Sequence, residues 1–119
     1  MDWNLSGDRP IWLQLSEQMA RRIITGVYPP GSRLPSVREL AAEAGVNPNT
    51  MQRALAQLEQ EGLAKADRTA GRLVTQDTAV LDGARRQAAQ EILQAYFSAM
   101  EELGYTKAQA AALAGEEEQ

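Results

Sequence analysis

Between Pro35 and Gly62 the chain specifies two short helices with almost nothing between them, and that junction limits the folds open to it. Ser36 is followed three residues on by Glu39, the reciprocal capping arrangement that opens a helix. Val37, Leu40, Ala41 and Ala44 then recur at helical spacing and form an apolar face. Gly45 suits the left-handed position that stops a helix, and Val46 can plug the corner. Asn47 is a good N-cap, and Pro48 fits the first helical position, where its missing N–H costs nothing. Met51, Ala54, Leu55 and Leu58 give the second helix an inward stripe, and Gly62 closes it. Two helices joined by so short a turn cross steeply and leave one face of the second open.

On that open face stand Asn49, Thr50, Gln52 and Arg53, with Asn47 at its tip. Their donors and acceptors are of the kind that read base edges in a major groove. An ordinary helical hairpin with a solvated outer face has the same polarity, so this pattern alone leaves both readings open. Upstream, residues 8–27 predict a supporting helix with a cap at Asp8 and a proline just inside. Ile11, Leu15, Met19 and Ile23 step by four along it, and Trp12 and Ile24 broaden the stripe. Gln14, Glu17, Gln18, Arg21 and Arg22 are expected on its outer side. Gly26 ends the helix, and the proline-rich connector VYPPGSRL sets the angle at which the next helix is presented, with Arg33 within reach of a phosphate.

After Gly62 the periodicity changes. Two short arms, Leu63–Ala66 and Arg72–Thr75, flank Asp67–Gly71 and predict a β-hairpin with Leu63, Leu73 and Val74 on the core side. A hairpin directly after such a helix is the wing of a winged helix-turn-helix. Its loop would lie beside a duplex, where Arg68, Thr69 and Arg72 meet phosphates or a minor groove; a hairpin with incidental surface charge is the plainer alternative. From Thr78, read as a cap, one long helix is expected to Leu103, with Gly104 stopping it and Thr106 and Gln109 opening a shorter one that ends at Gly115. The long helix carries Leu81, Ala84, Ala88, Ile92, Tyr96, Phe97, Met100 and Leu103, an apolar face that a second copy of the chain would cover.

The fold class expected is therefore mainly α with a small β-hairpin. Residues 1–76 form a winged helix-turn-helix domain, 77–115 a two-helix dimerisation segment, and 116–119 a disordered acidic tail. Composition narrows the chemistry. The 119 residues include no cysteine and no histidine, so disulfides, thiolate or imidazole metal sites and Cys or His catalysis are excluded. No metal site, cofactor or enzymatic activity is expected. No apolar run approaches the ~18 residues of a membrane span, and MDWNLSGDRP lacks the basic start and apolar core of a secretory leader, so the expected compartment is the cytoplasm. The net charge of −4 is unevenly placed: residues 33–76 hold six basic and five acidic side chains, a net +1, while residues 77–119 hold three and eight, a net −5. A central segment so weakly basic needs placed contacts and dimerisation to bind nucleic acid usefully. The acidic balance also suits a winged-helix protein–protein adaptor that never touches DNA.

The stretch PIWLQLSEQMARRIITGVYPPGSRLPSVRELAAEAGVNPNTMQRALAQLEQEGL closely resembles the N-terminal domain of GntR-family bacterial transcription regulators. The short helical C-terminus looks like that of the YtrA-like subfamily. The resemblance implies sequence-specific binding of a double-stranded DNA operator by a homodimer. It also implies repression, often of a transporter operon, and leaves room for an unidentified small-molecule effector at the dimer interface or between the domains. Carried over residue by residue, it makes Ser36 and Arg38 backbone contacts and Asn47, Asn49, Thr50, Gln52 and Arg53 the recognition helix. Arg68, Thr69, Gly71 and Arg72 become the wing. The wing departs from the family pattern G-x-G-[TS]-[FY]-V, since Thr69 stands where that pattern has its first glycine and Arg72 falls where a small hydroxyl residue is usual.

Overall fold

The computed structural model describes residues 3–117. Along the chain come α1 (Ile11–Ile24), α2 (Val37–Ala44), α3 (Pro48–Gln60), β1 (Ala64–Asp67), β2 (Gly71–Val74), α4 (Thr78–Glu102) and α5 (Lys107–Glu116). The two strands pair antiparallel, Ala64 with Val74 through Asp67 with Gly71, so the class is the expected helical one with a hairpin. Two compact units result, one running through Ala84 and one beginning at Arg85.

The local signals of the helical pair act as the sequence predicts. The Ser36 hydroxyl accepts from Glu39 N–H at 3.1 Å, and Ser36 N–H donates to the Glu39 carboxylate at 3.3 Å. Gly45 adopts φ +70°, and Val46 N–H returns to the Ala41 carbonyl at 3.0 Å, which ends α2. Asn47 Oδ1 accepts from Asn49 N–H at 2.8 Å and Pro48 opens α3. Met51, Ala54, Leu55 and Leu58 of α3 are fully buried against Leu15, Met19 and Ile23 of α1 and Leu40 and Ala41 of α2.

Other boundaries moved for identifiable reasons. Asp8 does not cap α1; its carboxylate takes the Ser6 hydroxyl, and the helix starts at Ile11 after Pro10. Gln14 and Arg22, expected outside, are buried. The stretch before α1 lies over them: Gln14 Nε2 donates to the Ser6 and Arg9 carbonyls at 2.8 Å each. Arg22 stacks on Trp3, 3.9 Å from its ring centroid, and pairs with Glu43 of α2 at 3.2 Å. Trp3 Nε1 donates to the same Glu43 oxygen at 3.1 Å. Thr78 is the first residue of α4 rather than its cap; Asp77 Oδ1 accepts from Ala79 N–H at 3.0 Å, because a carboxylate is a strong acceptor for the exposed N–H groups there. Leu81 is 8% exposed in the core of the first unit, with Val80 and Ala84 packed beside it. The beginning of α4 thus belongs with the first unit, and the division falls at 84/85 rather than at 76/77.

The proline-rich connector is also more than a spacer. Gly31 N–H donates to the Val74 carbonyl at 2.9 Å, Val74 N–H to Ser32 at 2.8 Å, and Leu34 N–H to Arg72 at 2.9 Å. It therefore lies along the free edge of β2 and satisfies that strand's backbone groups. In the second unit, Gly104 at φ +93° turns the chain, and a Thr106/Gln109 capping box opens α5. Tyr96 donates its hydroxyl to the Ala110 carbonyl at 2.7 Å, and Ala110 is fully buried. Gly115 stays helical, so α5 runs through Glu116 with Glu117 at its cap; residues 118–119 of the expected acidic tail lie outside the described residues.

Candidate nucleic-acid interface

Burial of one side of α3 dictates what the other side offers. With Met51, Ala54, Leu55 and Leu58 turned into the core, Asn49, Gln52 and Arg53 are left exposed on the outer face. Thr50 is half-buried between the two sides. Asn47 is exposed at the tip, where its side-chain oxygen is engaged in capping and its amide N–H groups remain to donate. Ser36 likewise spends acceptor capacity on its cap and keeps a hydroxyl proton. Arg38, in the first turn of α2, is exposed.

The cations separate into two groups. Arg33, Arg38, Arg53 and Arg68 have no carboxylate partner among the described residues. Arg72 has one: its Nε meets Glu59 Oε1 of α3 at 2.5 Å, with the two side chains 19% and 33% exposed. The residue that departs from the family's small hydroxyl position is thus tied to the helix behind it and joins hairpin to α3. Arg53 is held differently. Its guanidinium carbon lies 4.2 Å from the ring centroid of Trp12 on α1.

At the hairpin tip, Asp67 organises the loop. Its Oδ1 accepts from Thr69 N–H at 2.9 Å, Thr69 Oγ1 at 2.8 Å and Ala70 N–H at 2.9 Å. The backbone N–H groups of Ala70 and Thr69, then the Thr69 hydroxyl, hold the Asp67 carboxyl below its ordinary value. The Thr69 hydroxyl therefore donates inward, and Arg68 is the cation presented at the tip. Gly71 takes φ +83°, a conformation few other residues accept, and a side-chain carbon placed there would sit 3.7 Å from Arg33 Nε. Arg33 from the connector and Gly71 from the wing are brought together in this way.

The sequence reading missed Glu59 as the partner of Arg72 and Trp12 as the support of Arg53; neither contact has a local signature. Lys65, exposed on β1, adds a basic wing residue that alternation along the strand could have revealed. In the second unit, Ala88, Tyr96, Phe97 and Met100 are half-buried, while Ile92 is 55% and Leu103 73% exposed. Leu93, Tyr105 and Leu113 add exposed apolar surface that the sequence reading did not include. Of those read with this face, Leu81 is instead a core residue of the first unit and Ala84 packs against that core.

Comparison with known proteins places this geometry. The family model described as bacterial regulatory proteins, gntR family, matches residues 13–74. The HTH-type transcriptional regulator YhcF of Bacillus subtilis (strain 168) is 35% identical over 107 residues, covering 90% of this chain and 88% of the relative. The HTH-type transcriptional repressor YtrA of the same organism is 35% identical over 98 residues, covering 77% of this chain and 75% of that one. Among solved structures, a GntR family transcriptional regulator from Listeria monocytogenes superposes with a TM-score of 0.84 at 32% identity, covering 94% of this chain and 98% of its own.

Proposed function

This chain belongs to the GntR family of bacterial regulatory proteins, and from that premise we propose that it is a YtrA-like repressor that binds a pseudo-palindromic DNA operator as a homodimer. Its relatives are transcriptional regulators, not enzymes, and a DNA-binding regulatory role is the function the family carries. The observation that supports the reading most directly is the open face of α3. Asn49, Gln52 and Arg53 stand exposed on a helix whose opposite side is fully buried, with cations on α2 and the wing that have no carboxylate partner among the described residues.

In this reading α3 of each copy enters a major groove, with half-sites roughly 34 Å apart. Asn49, Gln52 and Arg53 read base edges, while Arg33, Arg38 and Arg68 fix register on phosphates. The exposed apolar residues of the second unit, Ile92 and Leu93 of α4, Leu103 in the turn and Leu113 of α5, pair with their equivalents in a second copy. A small-molecule effector at that pairing surface would act by changing the spacing of the two recognition helices. Work on an operator places the protein in the cytoplasm, and no helix among the described residues is long and apolar enough to cross a membrane.

The test is selection of bound duplexes from a random pool, followed by salt titration on the winner. An inverted repeat is expected, with affinity falling steeply as salt rises. Pure dimeric protein that enriches no sequence and shows no salt-dependent binding would favour the adaptor reading.

A further inference from the structure

Two Arg–Trp stacks occur in the first unit, and they differ in one respect that bears on function. Arg22 lies 3.9 Å from the centroid of Trp3, but it is buried and its NH1 is spent on Tyr28 and Glu43. That stack is a closed strut between α1 and α2. Arg53 lies 4.2 Å from the centroid of Trp12, on the exposed face of α3, with no carboxylate partner among the described residues. Trp12 is half-buried at the start of α1, and one face of its ring meets Arg53 of α3.

We propose that Trp12 is a positioning residue for base readout, holding Arg53 in the orientation in which it reads a base pair. The inference rests on α3 being the helix that reads DNA. A guanidinium carries its five donors in one plane, so stacking engages its face and leaves the N–H edge free. That edge is what pairs with the two acceptors of a guanine in the major groove. An arginine on a flexible stem surrenders its rotamers when it binds, whereas one already laid on an aromatic ring has surrendered much of that freedom beforehand. Trp12 touches no base itself; it acts through Arg53.

The test compares base preferences of the full chain with those of Arg53→Ala, Trp12→Leu, Trp12→Phe and the Trp12→Leu/Arg53→Ala double variant, by duplex selection and titration. Arg53→Ala is expected to erase the preference at one base pair per half-site. Trp12→Leu is expected to weaken the preference at that same base pair by about fivefold, the strength of an exposed cation–π contact, and at no other. Trp12→Phe, which keeps an aromatic face, should retain most of it, and the double variant should match Arg53→Ala. If Trp12→Leu unfolds, Trp12→Met supplies apolar volume without an aromatic face and carries the test. Equal weakening at every base pair, or a Trp12→Leu loss that persists in the Arg53→Ala background, would overturn the positioning role and leave Trp12 a packing residue. An Arg53→Ala variant with unchanged preferences would instead overturn the base-reading role of Arg53 itself.

Discussion

Glu59→Gln is the most informative single change at this surface, because it loosens the hairpin and uncovers a positive charge at once. Arg72 Nε and Glu59 Oε1 are 2.5 Å apart, with side chains 19% and 33% exposed. Fully exposed pairs contribute about 0–1 kcal/mol, and breaking a buried pair costs about 3–5 kcal/mol. A half-covered pair with one charged hydrogen bond belongs near the lower end, at about 1 kcal/mol, or roughly fivefold in the unfolding constant. Urea unfolding of the single and double Glu59→Gln/Arg72→Gln variants should give that coupling and show it shrinking as salt rises. In the intact pair the two charges offset each other, so Arg72 releases few counterions from DNA. Glu59→Gln should therefore steepen the dependence of log affinity on log salt by up to about 0.9 per copy, and strengthen binding to random duplex. A coupling below about 0.3 kcal/mol, together with Arg72→Gln flattening the wild-type slope by about 0.9 per copy, would refute the argument and return Arg72 to the phosphate contacts.

Leu55, fully buried on the inner side of α3, should cost about 2–5 kcal/mol when cut to alanine, read from the shift in urea midpoint. Glu43→Ala removes the carboxylate shared by the Arg22 guanidinium and the Trp3 indole N–H; because Glu43 is itself a third exposed, about 2 kcal/mol is expected. A loss under about 0.5 kcal/mol would mean the strut is not formed. The depressed Asp67 carboxyl contributes stability that is present above its unfolded value of about 3.9 and is lost as pH falls through its lower folded value. The Thr69 and Ala70 amide resonances should consequently hold steady from neutral pH down to about 5 and move only below about 4.

The parts of the fold that were legible in sequence are those whose causes lie within one helical turn. Ser36 with Glu39, Asn47 with Pro48, Gly45, and Thr106 with Gln109 each satisfy backbone groups three or four residues away, so their effect does not depend on what packs nearby. The stripe Met51, Ala54, Leu55 and Leu58 was readable because helical period alone puts those residues on one side, and that fixed Asn49, Gln52 and Arg53 on the other. Burial of the stripe is then driven by the hydrophobic effect whatever the partner.

What needed the tertiary structure was the state of each charge on that surface. Glu59 meets Arg72 across 13 residues, Arg22 meets Glu43 across 21, and Trp3 meets Glu43 across 40. No local preference encodes such pairs; they exist because the three helices, the hairpin and the stretch before α1 pack where they do. The same crossing puts Trp12 under Arg53, and the backbone path of the connector puts Arg33 beside Gly71. Sequence determined which helix faces outward and what it carries. Packing decided which of those arginines is tied to an acid, which is laid on a ring, and which has no carboxylate to hold it, because an ion pair depends on separations of a few ångströms that only the assembled core sets.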